Sequence, residues 1–158
     1  MCSSDLKKEV TGNQGNRNKD FKFTIKVDGA AGEQYYVTFS DGKAPTTLVS
    51  GEAKTITLKD NETAKIFGLS ETDEYTVTEA SYADDGYKTT IDNVETLTTT
   101  GTITGNSDKN ITVVNDKTTN SPTGIFLHVA PYIALIGAAI ASSLLFFRRK
   151  RAKDMDID

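Results

Sequence analysis

The chain has 158 residues, 37% hydrophobic and 25% charged, with a formal net charge of −4; many apolar residues gather after Ile125, so the remainder can hold one modest domain around one core and not two. Without the five cations and three acids beyond residue 120, 13 Lys plus Arg face 19 Asp plus Glu, about −6, which argues against nucleic acid as a partner. One His and one Cys supply no metal-ligand set, no cofactor is implied, and His128 sits in the apolar C-terminal run, so no Ser–His–Asp relay can be assembled and an enzyme is not expected.

In chain order, residues 1–5 read as a disordered N-terminal segment. Cys2 is too near the end to close an internal disulfide. A lipid anchor on Cys2 would need an apolar signal segment upstream, and only Met1 stands there, so the sequence predicts a fragment or a misplaced start of an exported protein. Residues 6–116 read as one all-β domain. "LKKEV" opens it; "FKFTIKV" puts Phe21, Phe23, Ile25 and Val27 on one face; "QYYVTF" does the same with Tyr35, Val37 and Phe39. "TITL" adds Ile56 and Leu58, "EYTVTEA" adds Tyr75 and Val77, and "NITVV" adds Ile111 and Val113. Between them lie "DGAAGEQ", "SDGKAP", "KDNET" and "DDGY", which are turn chemistry. Short strands at this spacing predict an immunoglobulin-like antiparallel β-sandwich.

Residues 117–124 form a polar linker ending in Pro122-Thr123-Gly124. Residues 125–147 contain no Asp, Glu, Lys or Arg and are long enough, at about 1.5 Å per residue, to cross a membrane as one transmembrane helix. Arg148, Arg149, Lys150 and Arg151 follow, which makes 148–158 a cytoplasmic tail and puts residues 1–124 outside.

A Pro-Thr-Gly, an apolar span and a basic tail in that order resemble the cell-wall sorting signal of Gram-positive surface proteins. Its usual form is Leu-Pro-any-Thr-Gly; here Asn120 and Ser121 precede Pro122, Thr123 and Gly124, a variant similar to that of several pilus backbone subunits. The resemblance implies cleavage between Thr123 and Gly124 by a sortase, with Thr123 passed to an amine of a neighbouring pilin subunit or of peptidoglycan. Pro122 holds the backbone extended for the cleft, and Gly124 leaves the scissile bond uncrowded. The competing reading is an ordinary tail anchor with a chance Pro-Thr-Gly.

The alternation also exposes three polar residues on inward faces. Lys8 shares a face with Leu6 and Val10, Glu79 continues the Tyr75 and Val77 face, and Asn115 continues the Ile111 and Val113 face. Each is costly to bury alone. Together they make chemical sense: a desolvated lysine becomes a nucleophile, a desolvated glutamate keeps its proton and polarises the amide carbonyl, and ammonia leaves as Lys8 joins Asn115. The bland alternative has each side chain ending a strand with its polar tip in water.

At these positions the sequence resembles the Gram-positive pilin and adhesin sandwich domains of collagen-adhesin B type. "KEVTGNQGNRNKDFKF", "ITLKD", "YTVTEASYADDGY" and "TVVND" are similar to the opening strand, mid-domain strand, acidic box and closing strand of the C-terminal domain of streptococcal major pilins. The resemblance implies Lys8 as isopeptide donor, Asn115 as acceptor and Glu79 as catalytic acid, with Lys7 and, less directly, Lys19 as rivals for the donor because a short strand's register slips easily. It further implies a structural subunit of a pilus shaft at the cell surface, anchored to the wall after transient membrane attachment. The alternatives are a stalk domain of a wall-anchored adhesin and a tail-anchored membrane protein with an unrelated sandwich. No motif identifies an acceptor lysine for polymerisation.

Overall fold

Period-two alternation of apolar residues, punctuated by Gly, Asn and Asp turns, builds an all-β structure. The computed structural model describes residues 2–105 and 108–119. The sorting motif at Pro122, Thr123 and Gly124, the span 125–147 and the tail 148–158 lie outside the described residues, among which no helix is long and apolar enough to cross a membrane. Ten strands follow in order: β1 (Cys2–Thr11), β2 (Phe21–Asp28), β3 (Gln34–Phe39), β4 (Thr46–Val49), β5 (Ala53–Leu58), β6 (Thr63–Leu69), β7 (Glu74–Glu79), β8 (Lys88–Ile91), β9 (Thr98–Thr102) and β10 (Lys109–Asp116). They form a six-stranded sheet, β4-β3-β6-β1-β10-β8, and a four-stranded sheet, β5-β2-β7-β9.

The inner faces of the two sheets supply one core. Phe21, Phe23, Ile25 and Val27 of β2, Leu58 of β5 and Val77 of β7 meet Leu6 of β1, Tyr35 and Val37 of β3 and Val113 of β10, all essentially without solvent contact. Burying a side chain of this size contributes about 1.5–3 kcal/mol, so the alternation fixes the register of each strand.

Two expectations are corrected. Residues 2–5 are not a disordered lead: β1 begins at Cys2, pairs with β6 down to Cys2↔Leu69, and buries Ser3 and Ser4. "CSSD" is too polar to read as strand, but β6 pairs with all four residues, β10 pairs with Ser4 and Asp5, and Ser3 N donates to Asp108 Oδ1 at 3.2 Å. Nor are all pairings antiparallel. β1 runs parallel to β10 from Ser4↔Lys109 to Thr11↔Asp116, whereas the other strand pairs are antiparallel. Strand order across a sheet does not show in hydrophobic alternation, so this pairing of the first and last strands was invisible in the sequence.

Past the ends of β1 and β10 the pairing is locked by the loop that follows β1. Lys117 N donates to Thr11 O at 3.1 Å and Gln14 N to Lys117 O at 3.0 Å. Gly12 makes the turn at φ +87, and a Cβ there would stand 2.3 Å from Lys117 O. Only glycine has both the backbone freedom and the room.

Candidate functional site

The three inward polar residues converge. β1 and β10 are neighbours in the six-stranded sheet, and β7 faces them from the other. Lys8, in the register pair Lys8↔Val113, and Asn115, in the pair Val10↔Asn115, are therefore one step apart on adjacent strands with their side chains on the same inner face. Both are fully buried, and Glu79 is 1% exposed.

Lys8 Nζ lies 2.5 Å from Asn115 Oδ1, 3.3 Å from Glu79 Oε1 and 3.1 Å from the Glu9 carbonyl oxygen. The 2.5 Å separation is shorter than the roughly 2.7–3.2 Å of an ordinary N–H···O hydrogen bond. Asn115 Nδ2 and Glu79 Oε1 are buried with no hydrogen bond of good geometry. Such atoms are rare in native interiors and costly.

An aromatic floor dries the site. The Phe21 ring centroid is 4.4 Å from Lys8 Nζ, and Tyr82 and Tyr87 pack edge-on against that ring at 4.9 and 5.4 Å. Burial pulls the Lys8 amine down from its ordinary 10.5 to about 8, with the Glu79, Asp60 and Glu9 charges opposing. Burial likewise pushes the Glu79 carboxyl up, against the Lys8 charge, the Thr89 hydroxyl and the Asn115 amide. Both shifts favour neutral forms in place of an ion pair.

The rival lysines are elsewhere. Lys7 points outward, its side chain 45% exposed and paired with Glu9 at 2.7 Å. Lys19 pairs with Asp85 at 3.0 Å, over the Tyr82 ring. One-residue alternation along β1 is what separates Lys8 from Lys7. Sequence reading missed two contributors. Phe21 was legible as core but not as the floor of the site. Thr89, whose hydroxyl donates to Glu79 Oε2 at 3.0 Å, sits on β8, a four-residue strand too short to show a period. Among the described residues there is no cluster able to hold a metal ion.

Comparisons with known proteins agree with this architecture. A curated pilin of Streptococcus pyogenes serotype M1 is 35% identical over 170 aligned positions, covering 93% of this chain and 48% of the pilin. The crystal structure of the major pilin of Streptococcus pyogenes superposes with a TM-score of 0.66 at 28% identity, covering 75% of this chain and 48% of that one. A mutant of the pilus-presented adhesin Cpa superposes at 0.62 with 31% identity, covering 75% of this chain and 27% of that one. The chain thus spans about half the length of the curated pilin it matches. A family model matches residues 5–117, so the chain belongs to the family described as Domain of unknown function (DUF7601), and it resembles a domain of Gram-positive pilus backbone subunits.

Proposed function

We propose that this chain is a structural, non-enzymatic part of a pilus shaft subunit at the cell surface: a collagen-adhesin B-type, immunoglobulin-like sandwich locked by an autocatalytic Lys8–Asn115 isopeptide bond and cleaved by a sortase between Thr123 and Gly124. The observation that carries the bond is the buried approach of Lys8 Nζ to Asn115 Oδ1 beside Glu79. Neutral Lys8 Nζ attacks Asn115 Cγ while protonated Glu79 hydrogen-bonds the carbonyl oxygen and offsets its developing charge. Glu79 then relays the proton lost by Nζ to Nδ2, the C–N bond to Nδ2 breaks, and one ammonia departs. Glu79 ends protonated as it began, and the reaction runs once per chain. Of the three buried side-chain atoms without a good hydrogen bond among the described residues, the two in this site, Asn115 Nδ2 and Glu79 Oε1, are those the chemistry uses: Nδ2 leaves, and Oε1 carries the proton; the third, Asp5 Oδ1, lies outside the reacting trio.

Intact mass of the purified full chain tests the bond, with the sequence mass less one ammonia expected and the unreduced sequence mass refuting it. Incubation with a pilus-type sortase tests the other half. A product ending at Thr123 is expected, and none from Thr123→Ala; cleavage elsewhere, or none from the parent chain, refutes the sorting motif. The resemblance to the pilus-presented adhesin Cpa favours one second reading, a stalk domain of a wall-anchored adhesin, in which the same bond serves another shaft.

Bond formation is expected to have a bell-shaped pH profile. The reactive pair holds a single proton, on Glu79, with Lys8 neutral. Below the raised Glu79 value both groups are protonated and Lys8 is no nucleophile; above about 8 the last proton leaves and no acid remains. Refolding of unreacted chain from inclusion bodies at a series of pH values, quenched and weighed, reads the rate. A rate still rising above pH 9 would contradict this assignment of roles.

A further inference from the structure

Thr89 belongs to the site by topology as well as by contact. In the β8–β10 ladder it stands directly opposite Asn115, so Lys8, Asn115 and Thr89 come from three adjacent strands of one sheet, while Glu79 reaches them from the other. Its side chain is buried, and its hydroxyl donates to Glu79 Oε2 at 3.0 Å. A neutral carboxyl has one carbonyl oxygen and one O–H, and a hydroxyl donor must meet the carbonyl oxygen. With Oε2 so engaged, the proton belongs on Oε1, the oxygen 3.3 Å from Lys8 Nζ.

We propose that Thr89 is a positioning residue for the cross-linking reaction, fixing the Glu79 proton on the oxygen that faces Lys8 and Asn115. The inference rests on the isopeptide reading and deepens it. The same residue closes the site on its wet side. Thr89 lines an open groove of about 520 Å³ together with Ser81, Tyr82, Tyr87, Glu95 and Leu97, so its hydroxyl occupies a place on Glu79 that groove water would otherwise take. The charged group facing Glu79 is Lys8 of β1; Asp60, in the turn between β5 and β6, and Glu9 of β1 act on Lys8 in turn. Thr89 supplies the hydroxyl donor that Glu79 has from β8.

The test uses the full chain, recovered unfolded and unreacted and then refolded across pH, with ammonia loss followed by mass. Thr89→Val keeps the shape and removes the hydroxyl; Thr89→Ser keeps the hydroxyl. Thr89→Val is expected to slow bond formation about tenfold at the plateau, the worth of one buried hydrogen bond. It should also move the acid limb of the profile to higher pH, because the lost donor favoured ionised Glu79. Thr89→Ser should return the rate to within about threefold of the parent. Thr89→Ala carries the same expectation as Thr89→Val should the latter not fold. A Thr89→Val rate and acid limb equal to the parent's overturn the proposal, as do Val and Ser variants that are equally slow. A parent chain that never loses ammonia overturns the isopeptide reading itself, and this inference falls with it.

Discussion

Glu79→Ala is expected to leave the chain at its full sequence mass and to lower its melting temperature by about 20 °C or more. The proposed bond would join residues 107 apart. If its entropy resembles that of a disulfide, the cross-link constrains the unfolded chain by about 4.7 kcal/mol, and a domain of this size loses about 4 °C for each kcal/mol. A second cost follows the removal of the acid: the unreacted Lys8 amine stays buried over Phe21 without the carboxyl beside it, and a buried polar group left without its partner costs about 1–3 kcal/mol. Lys8→Met separates the two effects, because it removes the bond and the buried amine together. It should melt above Glu79→Ala although neither variant is cross-linked.

The pH dependence of the two variants should differ in sign-specific fashion. In Glu79→Ala the folded Lys8 amine stays below its ordinary 10.5, because burial remains and the partner that raised it is gone. Between that lowered value and 10.5 the unfolded chain holds more protons than the folded one, so stability rises with pH across the window and is lowest beneath it. Lys8→Met has no such proton to lose and should show no such rise. Thermal melts of both variants at neutral and alkaline pH check this, and equal slopes would show that Lys8 is not held in a dry interior.

How far the sequence disclosed this site depends on which strand is considered. On β1, β7 and β10 strict alternation put Lys8, Glu79 and Asn115 inward beside unambiguous core residues, and the structure has them buried there. β6 was hidden because its phase changes: Ala64 and Ile66 point inward, then Leu69 does, with Gly68 at φ +92 taking up the extra residue. β9 was hidden because "TTTGT" has no large apolar side chain of its own; Tyr75 lies across from Gly101 and covers it from β7. Thr89 was out of reach for a further reason. A threonine in a four-residue edge strand carries no signal until its neighbour across the ladder is known to be Asn115. Alternation tells which way a side chain points along its own strand; it does not tell which strand lies next to it, and the site is assembled by the second kind of information.

That neighbour relation decides the response to force. Because β1 and β10 are adjacent and parallel, tension applied at the Cys2 end of β1 and the Asp116 end of β10 pulls them past one another, loading the ladder between them in shear. With the Lys8–Asn115 bond in place, tension passes along β1 to Lys8, crosses to Asn115 and leaves through Asp116, so the chain between those two residues carries none of it. Single-molecule stretching of the parent domain is therefore expected to show no lengthening from residues 9–114 up to rupture of the handles. Asn115→Ala, lacking the acceptor, should unfold in one step and gain about 350–390 Å, the extended length at roughly 3.3–3.6 Å per residue of the 107-residue separation the bond would have closed. Lys7→Ala should behave as the parent, since Lys7 points outward to Glu9 and takes no part in the bond. A parent domain that extends like Asn115→Ala would mean that force runs through hydrogen bonds alone and that the domain is held without a covalent path.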